Sequence, residues 1–368
     1  MSACVDNRQR TAGAGPSVRE RVNAELAGFM AAHTADLTAI HPDLSRLGQA
    51  ADAAVLGGGK RLRPSFAYWG WRAVQPDGAD GEGSLMRAAA SLELLQACAL
   101  VHDDVMDGSD TRRGQPSAHV RFAGLHEAAG WPGSAGAFGT SGAILLGDLL
   151  LSWAEEMFAE AVRSLPDERL AAARAEFDAM RTEVVAGQFL DVLAQTRGAF
   201  DPDEAIRVIE FKTTKYTVQR PLRLGAGAAG ASAGVVAALT AYGHALGEAF
   251  QLRDDLLGVF GDPAETGKPA GDDLREGKQT FLVAIAMDRA QPAVAAELAA
   301  AIGDPDLSEA RVGRVRDILR DTGTVAAVET RIARRVIEAE AALAGTGIAA
   351  PARQALTDLA DAAANRSS

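Results

Sequence analysis

Leu94-Leu95-Gln96-Ala97-Cys98-Ala99-Leu100-Val101-His102 runs into Asp103-Asp104-Val105-Met106-Asp107, and Ala249-Phe250-Gln251-Leu252-Arg253 runs into Asp254-Asp255. Each is an apolar stretch of helical character that ends in acid. Burying an ionised carboxylate is costly unless a cation or hydrogen bonds compensate it. Asp103 and Asp107 stand at i and i+4, on one helical face, where one hard divalent cation satisfies both. Magnesium takes one or two protein carboxylates and completes its shell with substrate phosphate oxygens, so two such clusters facing each other describe a cage for a diphosphate. A lone DDxxD also fits a solvated helix end; the second cluster and the basic segments that accompany both favour a site.

Working outward, Val22 to Ala32, Leu85 to Val101, Ala143 to Val162, Leu170 to Leu193, Val235 to Leu257 and Val325 to Leu343 combine good helix formers with apolar spacings of three and four. No convincing alternating strand appears. Breakers at Gly57-Gly58-Gly59, Pro76 to Gly83, Gly130 to Gly139, Pro166, Pro202, Gly261 to Gly271 and Gly303 to Pro305 separate the helices without leaving a long linker. The pattern predicts an all-α, single-domain protein over 18–368, preceded by a disordered tail over 1–17. Glu127 to Ser141, with Gly130, Gly133, Gly136 and Gly139, reads as a surface loop.

A 368-residue chain with 48% hydrophobic and 23% charged residues is long enough for a sizeable core. Its formal charge of -12 argues against nucleic acid as a partner. Only Cys4 and Cys98 are present, so no disulfide framework is implied and a reducing, cytoplasmic setting fits. The greasy run Ala143 to Leu151 is interrupted by Asp148 and falls short of the roughly 20 residues of a membrane span.

Basic residues recur beside the acidic ones. Gly57 to Pro64 places Lys60, Arg61 and Arg63 after a glycine turn, without the spacing or hydroxyl of a Walker A loop. Thr111-Arg112-Arg113-Gly114-Gln115-Pro116 follows the first acidic cluster, and Lys268, Asp272-Asp273, Arg275 and Lys278 follow the second. Phe211-Lys212-Thr213-Thr214-Lys215-Tyr216 adds cations and hydroxyls on a helical pattern.

In order, GGGKRLRP, LELLQACALVHDDVMDGSDTRRGQP, GQFLD, KTTKYT and AFQLRDDLLGVFGDPAETGKPAGDDLREGKQT resemble the motifs of the trans-isoprenyl diphosphate synthases, or polyprenyl synthetases, in particular the geranylgeranyl diphosphate branch. The resemblance implies an antiparallel helical bundle around a deep central cavity, of isoprenoid synthase type, working as a homodimer. It implies a magnesium-dependent prenyltransferase that condenses isopentenyl diphosphate with an allylic diphosphate. Asp103 and Asp107 would bind two Mg²⁺ ions and Asp254 a third. Arg112, Lys212, Lys268 and Lys278 would bind the allylic diphosphate, and Lys60, Arg63, Gln96 and Arg113 isopentenyl diphosphate. Lys212, Thr213, Gln251 and Gln188 would line the reacting centre. One departure stands out: where the family's second motif commonly ends in a third aspartate, this chain has Gly258, with Asp262 one turn further on.

Residues one turn before Asp103 would lie under the growing isoprenoid tail. Here they are Cys98 and Ala99, small side chains that leave the cavity open, with Leu95 and Leu94 as the next floor. That favours a twenty-carbon product, with fifteen or twenty-five carbons as alternatives. Gly225-Ala226-Gly227-Ala228-Ala229-Gly230 fits GxGxxG but follows no strand, so it reads as helix packing rather than a dinucleotide site. A terpene cyclase would need an Asn-centred second metal motif, and the only asparagines, Asn7, Asn23 and Asn365, are near the ends. A non-catalytic regulatory subunit is the rival from another class, supported only by Gly258.

Overall fold

A computed structural model of the protein describes residues 16–261 and 271–364. Residues 1–15 of the expected tail lie outside the described residues, as do Asp262 and Lys268. Ser17, placed in that tail by sequence, instead caps the first helix. Its hydroxyl accepts from the Glu20 amide while the Glu20 carboxylate takes the Ser17 N–H, a reciprocal capping box.

The chain gathers into two compact units, one running to Tyr68 and resuming over Asp77–Leu170, the other formed by Trp69–Pro76 and the chain from Ala171 onward. The first unit holds α1 (Val18–Ile40), α2 (Ser45–Leu56), the start of α3 (Leu62–Arg72), α4 (Glu82–Met106), α5 (Ala118–Ala128) and α6 (Ala135–Val162). Its core helix is α4, which buries Leu85, Leu92, Leu94, Leu95 and Val101 and packs most extensively on α6. Between α4 and α5 the chain makes a two-residue hairpin, β1 (Thr111–Arg112) with β2 (Gln115–Pro116), the strand pair that the helical pattern hid.

The glycine-rich segment expected as a loop is a correction. Only 129–134 connects α5 to α6, and Gly136, Gly139 and Gly142 lie inside α6. Glycine is present there for packing: a Cβ on Gly139 would sit 2.3 Å from the His119 carbonyl oxygen, and one on Gly142 2.8 Å from the Phe122 ring. Close contact with α5 outweighs the roughly 1 kcal/mol that each glycine costs a helix.

α4 and α6 are each long and apolar enough to cross a membrane by length and composition. The apolar window of α4 is 72% buried within the protein, as a core helix should be, whereas that of α6 is 28% buried. Phe138, Ile144 and Leu145 stand exposed on α6.

The second unit contains α7 (Asp167–Arg197, apart from its first turn), α8 (Pro202–Val208), a π-helical stretch (Ile209–Gln219), α9 (Arg220–Ala229), α10 (Ala233–Phe260), α11 (Asp272–Arg275), α12 (Phe281–Arg289), α13 (Pro292–Ala299), α14 (Glu309–Asp321), α15 (Thr324–Leu343) and α16 (Ala350–Ala364). Its axis is α10, which packs on α15 and on the π-helical stretch. Ion pairs fix the α10–α15 crossing: Arg331 Nε and Arg335 Nη2 both lie 2.6 Å from the buried Glu248 carboxylate, and Arg253 forks onto Glu329. The GxGxxG segment forms α9 and ends at Gly230, whose positive φ closes the helix, so it is packing and no dinucleotide turn.

Candidate active site

In the first unit the two basic segments meet. The glycine turn adopts positive φ at Gly58 and Gly59, and Arg113 Nη1 donates to the Gly58 carbonyl oxygen at 2.7 Å. Arg61, Arg63, Arg112 and Arg113 crowd together so that burial, then their mutual repulsion against the opposing pull of Glu93, holds the Arg113 guanidinium below its ordinary pKa. Such a cluster of cations beside a glycine turn suits an anion with several oxygens. Arg61 itself is turned inward: only 5% exposed, it bonds Glu93 Oε2 at 2.7 Å, Asn23 Oδ1 at 3.0 Å and the Val55 carbonyl oxygen at 2.9 Å. Of the three cations after the turn, it is therefore structural. Both Arg61 and Arg113 hold positive φ, unusual for a side-chain-bearing residue and a mark of a conformation fixed by its surroundings.

Asp103 lies in the last turn of α4 and Asp107 is the residue that ends the helix, its amide bonded to the Asp103 carbonyl oxygen. The aspartate between them, Asp104, is buried and is held by Arg112, with Nε 2.6 Å and Nη2 2.5 Å from Oδ1; Arg112 Nη2 also reaches Asp103 Oδ2 at 3.5 Å. Burial still raises the Asp104 pKa, the guanidinium opposing it. Gln96, further back on α4, keeps a buried Oε1 with no hydrogen-bond partner. Ala99 is half-buried and aligned with Asp103, whereas Cys98 is buried: its Sγ lies 3.9 Å from His102 Nδ1 one turn on, and burial followed by the Asp148 charge pushes its thiol pKa up to about 12. Leu95, one turn below Ala99, is buried.

In the second unit the sequence-derived residues again converge. The π-helical stretch carries Lys212 and Thr213, and such insertions recur at functional positions. It is gripped by glycines: a Cβ on Gly187 would meet the Lys212 amide nitrogen at 2.5 Å, and one on Gly247 the Thr214 Cα at 2.7 Å. Arg220, just beyond it, binds Glu183 through Nε and Nη2 and Glu176 through Nη1, tying the stretch to α7. Lys212 Nζ then lies 2.6 Å from Asp191 Oδ2, and the Thr213 hydroxyl donates to Gln251 Oε1 at 2.7 Å. Gln251 Nε2 in turn donates to Asp255 Oδ1 at 2.8 Å. Gln188, on the Asp191 helix, has a buried Nε2 with no partner. Lys278 Nζ stands 3.5 Å from Asp273 Oδ1 and also pairs with Glu276.

Asp255 is the most perturbed acid here. Burial raises its pKa to about 8, the Gln251 amide opposing and the Asp273 and Asp254 charges adding to the rise, and its Oδ2 has no hydrogen-bond partner. An orphaned carboxylate oxygen among hard oxygen donors fits a divalent cation such as magnesium. Among the described residues, no three His, Cys, Asp or Glu side chains come together to hold an ion by themselves.

Residues 45–319 match the profile of the polyprenyl synthetase family. The chain belongs to the polyprenyl synthetase family. It is 33% identical over 80% of its length to the geranylfarnesyl diphosphate synthase of Aeropyrum pernix, covering 86% of that protein. It is 34% identical over 72% of its length to the geranylgeranyl diphosphate synthase of Saccharolobus solfataricus, covering 73% of it. The crystal structure of geranylgeranyl pyrophosphate synthase from Corynebacterium glutamicum, complexed with isoprenyl diphosphate and magnesium, is similar at a TM-score of 0.91 and 42% identity, across 95% of this chain and 98% of that one. This polyprenyl synthetase is thus a prenyltransferase of the trans-prenyl diphosphate synthase type, with the all-α isoprenoid synthase fold.

Within that family frame, sequence reasoning missed Asp191, the partner of Lys212, although it ends the quoted GQFLD motif three residues after Gln188. It also missed Asp104 and Asp255, the inner members of the two pairs. Adjacent residues of a helix point in different directions, so Asp104 and Asp255 turn into the core beside Asp103 and Asp254. Glu93 and Asn23, which fix Arg61, carry no local signal.

Proposed function

We propose that this polyprenyl synthetase is a geranylgeranyl diphosphate synthase, adding isopentenyl diphosphate head-to-tail to allylic diphosphates up to a twenty-carbon product. The observation that carries this reading is Ala99, a methyl side chain half-buried in line with Asp103, where a large aromatic side chain would close the space below the acidic cluster. The Corynebacterium relative supports the same length. The Aeropyrum relative supports a twenty-five-carbon product as the second reading.

In this proposal Asp103, Asp107 and Asp254 hold magnesium ions, which when bound neutralise the departing diphosphate of the allylic substrate. Arg112, Lys212 and Lys278 share that diphosphate as direct donors, with Lys268 expected to join them, and their charge favours breakage of the carbon–oxygen bond. Asp191 holds the Lys212 ammonium in a fixed position. Thr213, oriented by Gln251, and Gln188 present their polar atoms to the reacting centre. Lys60, Arg63, Arg113 and Gln96 hold isopentenyl diphosphate so that its double bond attacks the allylic carbon. The proton lost afterwards goes to the released diphosphate. A second copy of the chain covers the apolar face of α6 at Phe138, Ile144 and Leu145, giving a homodimer without a membrane span. We place the protein in the cytoplasm, a setting that its sparse cysteines suit.

The test is incubation of the purified protein with Mg²⁺, isopentenyl diphosphate and, separately, dimethylallyl, geranyl and farnesyl diphosphates, with mass spectrometry of the dephosphorylated products. A twenty-carbon alcohol is expected. A fifteen- or twenty-five-carbon alcohol overturns the Ala99 argument, and no elongation with any primer favours the regulatory-subunit reading.

A further inference from the structure

Gly258 lies on α10 one turn beyond Asp254 and Asp255, on the same side of the helix. It bears no side chain, yet the space that one would fill is taken. A Cβ built at Gly258 would stand 1.9 Å from Asp273 Oδ2 and 2.9 Å from Asp273 Cγ. Asp273 comes from α11, a separate short helix that packs on α10. Its other oxygen, Oδ1, faces Lys278 Nζ at 3.5 Å, so the carboxylate bridges a lysine and the acidic face of α10. A second observation points to a ligand: Asp255 is 5% exposed and its Oδ2 has no hydrogen-bond partner.

We propose that Asp273 is the third acidic group of the second cluster, delivered from α11 into the space above Gly258, and that position 258 is glycine because Asp273 occupies that space. The inference deepens the functional reading above and rests on it: the cluster that receives the cation–diphosphate pair is Asp254, Asp255 and Asp273 rather than an aspartate pair with a missing member. Among the described residues no three His, Cys, Asp or Glu side chains come together to hold an ion by themselves, so in this proposal the rest of the shell comes from diphosphate oxygens. Asp273 also sets where the Lys278 ammonium stands, so it acts as a positioning residue toward the diphosphate.

The geometry provides its own test. Asp273 Cβ lies 3.6 Å from the Cβ position of residue 258, an ordinary contact, so an alanine at 273 leaves room for an aspartate at 258. The variants are D273A, G258D and the double G258D/D273A, compared with the wild type. The readouts are the Mg²⁺ concentration giving half-maximal binding of inorganic pyrophosphate by titration calorimetry, the melting temperature, and KM and kcat for the allylic diphosphate.

D273A is expected to raise the half-maximal Mg²⁺ concentration by roughly 10–100-fold, the usual range for loss of a group that supports metal ligands, with little change in melting temperature. G258D alone forces two carboxylates together and is expected to lose both binding and stability. The double variant is expected to recover both, with a half-maximal Mg²⁺ concentration close to wild type. An unchanged Mg²⁺ requirement in D273A, or a double variant no better than D273A, overturns the proposal. If Asp273 served only Lys278, D273A would weaken pyrophosphate binding equally at every Mg²⁺ concentration, which also overturns it. Failure of the functional reading has a different signature: the wild type then neither elongates an allylic primer nor binds pyrophosphate with Mg²⁺, and this proposal falls with it.

Discussion

Asp104 and Asp255, the inner aspartates of the two acidic clusters, are 3% and 5% exposed, yet they are neutralised in different ways. Asp104 has a guanidinium, Arg112, against one of its oxygens. Asp255 has the neutral amide of Gln251 on one oxygen and nothing bonded to the other. The first cluster therefore carries its own counter-charge before any ligand arrives. In the second, burial and the surrounding acids Asp273 and Asp254 raise the cost of charging Asp255 further than the Gln251 amide and the Lys278 charge offset it. Two sequence motifs that both begin Asp-Asp thus leave folding with different electrostatic states.

Breaking the outer acids tests what the clusters share. D103N and D254N should each lower kcat by roughly 100–1,000-fold or more, the scale for losing a group that stabilises the departing charge, while leaving circular dichroism unchanged. A near wild-type rate in either variant removes the cation role of that cluster.

The inner acids test what separates the clusters, and the predicted effects have opposite sign. Without metal at neutral pH, D104N should destabilise the protein by about 1–3 kcal/mol, because it weakens a buried charge-assisted bond to Arg112. D255N should raise the melting temperature under the same conditions, because it replaces a buried acid that lacks a counter-ion. Shifts of the same sign would erase the distinction.

In the proposed reading the helix of the first cluster also sets product length, which the second does not. A99F should shorten the main product by one or more isoprene units while retaining turnover with short primers, read by mass spectrometry. The same product mixture from wild type and A99F would detach Ala99 from chain length.

Glu248 provides the mildest check, since it lies on the helix of Asp255 but is treated like Asp104. Burial opposes its ionisation, but hydrogen bonds from Arg335 and Arg331 outweigh burial and hold its pKa below the usual 4.5. A lowered folded-state pKa means that this stabilisation is complete above about pH 4.5 and is lost as pH falls through the lower folded value. E248Q should therefore flatten the acid limb of the stability curve below pH 4.5. An unaltered limb would show that the paired arginines do not hold the charged form.

Much of this arrangement is legible in the sequence, because helix formation and motif order are local properties. The stretches around Leu85 to Val101 and Val235 to Leu257 fall inside α4 and α10, and Thr213 and Gln251, both named from the sequence, are joined by a hydrogen bond. The misreadings share a cause in tertiary contact. Gly139 and Gly142 look like helix breakers until the close approach of α5 is seen. Arg61 stands between the two cations assigned to diphosphate, Lys60 and Arg63, and no local signal shows that Glu93 and Asn23, distant in sequence, claim it. Gly258 looks like a lost carboxylate, and no spacing rule reveals that Asp273 lies against it.

The most direct measurement is calorimetric titration of Mg²⁺ into the metal-free protein, with and without pyrophosphate, for wild type and D254N. The account predicts tight Mg²⁺ binding only when pyrophosphate is present, and a smaller bound stoichiometry in D254N. Equal Mg²⁺ binding without pyrophosphate, or an unchanged stoichiometry in D254N, would contradict the claim that the second cluster completes its charge balance with a cation shared with diphosphate.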